Sequence, residues 1–141
     1  MASGIYNIFK HNLMAGLVDL EGSGSHDIKV ALLTNSHSFN ADHKYWTDIS
    51  GNEVSGTGYT AGGKSLSNKT VVQDDANDLA YFDADDVTWS SSTITARYAV
   101  LYDNTLATKD LIACFDFGSD KSSSNGDFTL QWDSNGILKL T

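Results

Sequence analysis

Seven short runs rich in Thr, Val, Ile, Leu and aromatic residues follow one another through the second half of the chain: SLSNKTVV, LAYFDA, DVTWS, TITARYAVLYD, LIACFDFG, FTLQW and GILKL. The breaks QDDAND, DNTLATKD, GSDKSSSNGD and DSNG carry Asp, Asn, Gly and Ser. Runs of this length between such clusters predict strands joined by turns, and they leave little room for helix. The chain has 12 glycines and no proline, so every turn must be made from Gly, Asn, Asp or Ser chemistry. Adding IKVALLT nearer the start, the pattern predicts an all-β fold, an antiparallel β-sandwich or jelly roll of roughly eight or nine short strands.

Within TITARYAVLYD, Ile94, Ala96, Tyr98, Val100 and Tyr102 alternate with Thr95, Arg97, Ala99, Leu101 and Asp103. The second face is too apolar for solvent, which predicts a central strand or an interface strand. One helix is expected, over residues 4–15, where Ile5, Ile8, Phe9 and Leu13 fall on one face. Ser3 is its candidate N-cap, and Gly16 the left-handed residue that stops it. A helix this short needs a packing partner, either its own β core or a neighbouring subunit. LVDLE, just after Gly16, is expected as a strand. Residues 35–63 read as a long irregular loop, polar and glycine-dense, of the kind that forms functional surface or orders on a partner. With 141 residues the chain fits one domain, read as an N-terminal helical segment at 1–16 and a single β-sandwich domain at 17–141.

Charge narrows the partners. A net charge of −9 and a pI near 4.5 repel a phosphate backbone and an anionic membrane surface, so neither nucleic acid nor membrane is an expected partner. No apolar run approaches the length of a membrane span, and MASGIYNIFKHNLMAG lacks the pattern of a secretory signal. The single cysteine, Cys114, cannot close an internal disulfide, which suits assembly in a reducing cytoplasm.

No constellation of catalytic residues stands out. Asp83, Asp85 and Asp86 resemble a hard-cation cluster but lack the glycine and the terminal glutamate of a calcium loop. His11, His26, His37 and His43 form no HExxH or CxxC-type set. GSGSH at 22–26 lacks the strand–turn–helix setting of a nucleophile elbow, and SGTGYTAGG lacks the Lys-Ser/Thr of a phosphate loop. Neither cofactor nor metal is expected, and the chain reads as a non-enzyme. Arg97, placed mid-strand, needs a carboxylate partner if buried, either its own or a neighbour's.

The segments SGIYNIFKHNLMAG, EVSGTGYTAGG, TITARYAVLYD and GSDKSSSNGDFTLQW resemble a family of small virion proteins of tailed bacteriophages, and the resemblance extends over nearly the whole chain. It implies a structural part of the particle. Within that class, size, acidity and β content favour a capsid decoration, or cement, protein on the capsid exterior. Such a protein is expected to form a homotrimer and to bind the major capsid protein at capsomer junctions. Candidate interface residues are Ile5, Ile8, Phe9 and Leu13 of the helix, Phe39, Trp46 and Tyr59 of the 35–63 region, and Arg97. A tail or neck component is the alternative within the particle. A module binding host-surface glycan through Trp46, Tyr59 or Trp89 is the alternative outside that class.

Overall fold

The two longest strands run where the sequence predicts four. In the computed structural model, which describes residues 3–141, the elements are β1 (Gly4–Ile5), α1 (Asn7–Ala15), β2 (Ile28–Leu33), α2 (Trp46–Ile49), a 3₁₀ turn (Ser50–Asn52), β3 (Lys64–Ser65), β4 (Thr70–Asp74), β5 (Leu79–Asp83), β6 (Val87–Asp103), β7 (Leu111–Leu130) and β8 (Leu138–Leu140). They form a five-stranded antiparallel sheet, ordered β1-β7-β6-β2-β3, and a three-stranded one, ordered β4-β5-β8. The molecule is an all-β sandwich with eight strands among the described residues.

DVTWS and TITARYAVLYD are one strand, β6, and LIACFDFG and FTLQW are one strand, β7. The segment GSDKSSSNGD, expected as a turn, is extended and pairs with β6: Thr95 faces Ser122, and Ala96 faces Lys121. Hydroxyl side chains make this possible, since Thr95 and Ser122 bond each other across the ladder at 2.8 Å. The ladder also absorbs irregularities. Between Ala96–Lys121 and Tyr98–Asp116, the single residue Arg97 stands opposite residues 117–120. This bulge changes which face the side chains meet. Ile94 and Ala96 lie in the core between the sheets together with Ala99 and Leu101, whereas Tyr98, Val100 and Tyr102 lie on the opposite face. The strict alternation expected along this strand therefore fails at Arg97; both faces are buried from Tyr98 to Asp103, as a central strand requires, whereas Thr93 and Thr95 are exposed.

The core between the sheets is built around Trp89, Phe82, Leu32 and Ile112. The opposite face of the large sheet carries Tyr6, Leu33, Tyr98 and Tyr102, and Phe39, Trp46 and Ile49 cover it. The 35–63 region, expected as an irregular functional surface or a segment ordered by a partner, is thus in part a cover packed on the chain's own sheet. Its glycines explain how closely it lies. A Cβ on Gly63 would sit 1.9 Å from the Val30 carbonyl oxygen, and one on Gly56 would sit 2.3 Å from that of Thr93. Both have positive φ, so glycine serves conformation and close approach at once.

The N-terminus differs from expectation in three ways. The helix begins at Asn7, because Gly4 and Ile5 pair with Cys114 and Ala113 as an edge strand. Ser3 does not cap it; its hydroxyl accepts from the Asp116 backbone N–H at 2.9 Å, and Tyr6 occupies the N-cap position without a side-chain cap. Gly16 does end the helix in the left-handed conformation, with the Leu17 N–H bonded back to Asn12 at 2.9 Å. LVDLE is not a strand: Val18 and Leu20 pack on the core while the Asp19 carbonyl accepts from the His26 N–H at 2.9 Å. Residues 4–16 are therefore built into the same sheet and core as the rest.

Candidate docking groove

Helix α1 and the three-stranded sheet do not close fully on each other. β4, β5 and β8 align Val71, Phe82 and Leu138 in one row, and Ala80 lies beside Leu140 in the next alternate row. Residues two apart share a face, so these five side chains form one apolar surface. Across from it stand Phe9, Leu13 and Met14 of α1, with Ile5 and Leu20. A groove of about 320 Å³ remains between the two walls. Its floor is core, with Phe9 and Phe82 each 3% exposed. Its rim is not: Met14 is 92% exposed, Leu140 63% and Val71 38%. Of the four large hydrophobic residues exposed among the described residues, three line this one groove.

The charge at the groove is opposite to that of the chain. The described lining contains Lys10 and Lys139 and no carboxylate, although the chain carries 18 Asp and Glu against 9 Lys and Arg. Neither lysine forms an ion pair among the described residues. The carboxylates of the Asp83, Asp85 and Asp86 cluster are committed to local structure. Asp85 accepts from Asn68 at 2.6 Å, Asp86 from the Trp132 backbone at 2.9 Å, and Asp83 from the Ala84 backbone at 2.9 Å. Among the described residues no group of three or more His, Cys, Asp or Glu is placed to hold a metal, and no helix is long and apolar enough to cross a membrane.

The candidate interface residues divide between four places. Ile5, Phe9 and Leu13 line the groove. Ile8, Phe39 and Trp46 pack on the opposite face of the large sheet, where Phe39 lies 5.2 Å from Tyr6 and Trp46 stacks on Tyr102 at 4.9 Å. Tyr59 packs against the central core, stacked on Trp89 at 5.9 Å, with its hydroxyl donating to Glu53 at 2.6 Å and accepting from the Leu32 N–H at 3.1 Å. Trp89 itself is 1% exposed and offers no face to a sugar. Arg97 binds Asp116 of its own chain, Nε to Oδ1 at 2.7 Å, and the same oxygen accepts from the Gly118 N–H at 2.8 Å. The Arg97 hydrogen bond, then the Gly118 one, holds the Asp116 carboxyl below its usual range. This pair fixes the bulge, so it already supplies the carboxylate partner that Arg97 needs.

Met14, Val71, Leu138, Leu140, Lys10 and Lys139 were not singled out by the sequence. GILKL carries the only usable signal, an alternation of apolar residues around one lysine. No family model, curated protein or solved structure matches the chain.

Proposed function

We propose that this chain is a structural protein of a tailed-bacteriophage particle, most specifically a decoration protein that docks on the outer capsid shell and reinforces contacts between capsomers. The observation that carries the reading is the exposed apolar groove, free of carboxylates on an otherwise acidic molecule. Contiguous solvent-exposed apolar surface marks a contact surface. The resemblance of four long segments to small virion proteins supplies the particle. A lattice of identical binding positions suits such a subunit, since many modest contacts add up across the shell. An outer position also keeps a chain of charge −9 away from packaged DNA. In this reading the partner is the major capsid protein, the subunit assembles in the host cytoplasm, and copies associate as a trimer at junctions.

Quantitative mass spectrometry of purified particles tests it. The chain should be present in large excess over tail components and remain with heads after tails are removed. Absence from the particle, or a copy number equal to that of tail parts, would refute the capsid assignment.

A further inference from the structure

Resting on the docking reading, we propose that β8 accepts an added strand from a partner protein, an extended segment in which apolar and acidic residues alternate. The three-stranded sheet ends at β8, which pairs only with β5, so its outer edge presents unpaired backbone groups. The other outer strand is less available: the Val71 N–H of β4 already donates to Glu21 Oε2 at 2.8 Å. In the large sheet both edge strands, β1 and β3, are two residues long, shorter than the three of β8. β8 therefore combines an open edge with the apolar groove beside it.

Strand alternation specifies the occupant. Leu138 and Leu140 share one side of the strand with Phe82 and Ala80, and Lys139, which alternates with them, also borders the groove. A strand laid against β8 places its alternate side chains in the same two directions. Those beside the leucines meet Phe82, Leu13 and Met14 and must be apolar. Those beside Lys139 meet an unpaired ammonium and should be carboxylates, and Lys10 adds a second positive charge at the rim. Backbone pairing then gives affinity while the alternation gives selectivity. Charge also argues against a two-fold pairing of this face with itself. A two-fold contact is self-complementary, so it would bring the lysines of both copies together.

The test uses the full chain, ¹⁵N-labelled, and two capped seven-residue peptides, one alternating valine with aspartate and one alternating valine with lysine. The aspartate peptide should shift the amides of residues 138–140 and bind roughly tenfold more tightly than the lysine peptide, the effect of two rim charges. Lys10→Glu together with Lys139→Glu, both exposed positions, should reverse that order while leaving the melting temperature unchanged. Equal binding of the two peptides, or unperturbed β8 amides at saturating peptide, would overturn the proposal. So would ultracentrifugation showing that the chain self-associates and that Leu140→Asn abolishes this, since the occupant would then be a second copy. Sedimentation of the double variant with phage heads separates the two levels. Heads that take up the wild type and the variant equally leave the docking reading standing and sink the strand-addition mode.

Discussion

Replacing Gly63 by alanine tests how the 35–63 cover is held. Two penalties apply. The residue has φ +81°, a left-handed conformation that costs an L-residue about 1–2 kcal/mol. The added methyl would also lie 1.9 Å from the Val30 oxygen, whereas carbon–oxygen contacts settle at about 3.3–3.6 Å, so the chain must retreat by roughly 1.5 Å. The obstacle is backbone, 2.7 Å from the Val30 carbon and 2.8 Å from the Ala31 Cα, and no rotamer change relieves it. Retreat opens the pairing of Val30 with Lys64 and of Lys29 with Ser65, together with the Leu66 N–H to Ile28 bond of 2.8 Å. At about 0.5–1.5 kcal/mol per hydrogen bond, and with Leu66 losing part of its burial, the total is about 4 kcal/mol. That is a large part of the roughly 5–15 kcal/mol that stabilises a domain. Urea unfolding reads it as a fall in midpoint of roughly 2 M. Two further variants separate the terms. Gly22→Ala carries the positive φ with nothing within 4 Å, so it should lose only about 1–2 kcal/mol. Gly51→Ala has neither penalty and should stay within about 0.5 kcal/mol of the parent. If Gly63→Ala were no worse than Gly22→Ala, close backbone approach would not be what this glycine serves.

Two other outcomes concern buried side chains. His37 is 4% exposed, set edge-on to Tyr98 at 5.1 Å, with the His43 ring 6.3 Å away; burial first, and then His43, holds its pKa below the ordinary 6.5. The unfolded chain therefore takes up the proton first, so this contribution to stability is complete above about pH 6.5 and is lost as the pH falls towards the lowered folded value. Melting temperatures between about pH 7 and pH 5 should decline in the parent and decline less in His37→Phe; parallel curves would contradict it. The Cys114 thiol is fully buried and pushed up to about 12 by that burial, so a thiol reagent should label it only at the rate of unfolding, and rapid labelling of the native protein would show the large sheet to be open there.

The sheet content was legible because β-rich runs and turn clusters are local signals. IKVALLT reads as a strand and Ile28–Leu33 is one, and Gly16 stops α1 for the reason its position suggests. What was not legible depends on partners distant in sequence. GSDKSSSNGD has the composition of a turn, but Ser122 and Ser123 bond to Thr95 and Ser92 across the ladder, and this holds the segment extended. The change of face at Arg97 rests on residues 117–120 of the opposite strand, which no alternation count within TITARYAVLYD can contain. The glycines of SGTGYTAGG read equally well as flexibility until Val30 and Thr93 are seen against them. Of the four residues expected on one face of the helix, Ile5, Phe9 and Leu13 line the groove, with Ile5 on β1, while Ile8 packs on the opposite face of the large sheet. The facing wall comes from β4, β5 and β8, whose residues are ordinary until the sheet places them opposite α1.

The most direct measurement mixes the purified protein with separated phage heads and tails, sediments each, and counts the bound copies. Saturable binding to heads, in copies far exceeding the tail components and reduced by Leu140→Asn at the groove rim, is the predicted result. Binding to tails alone, or to neither fraction, would contradict the decoration role.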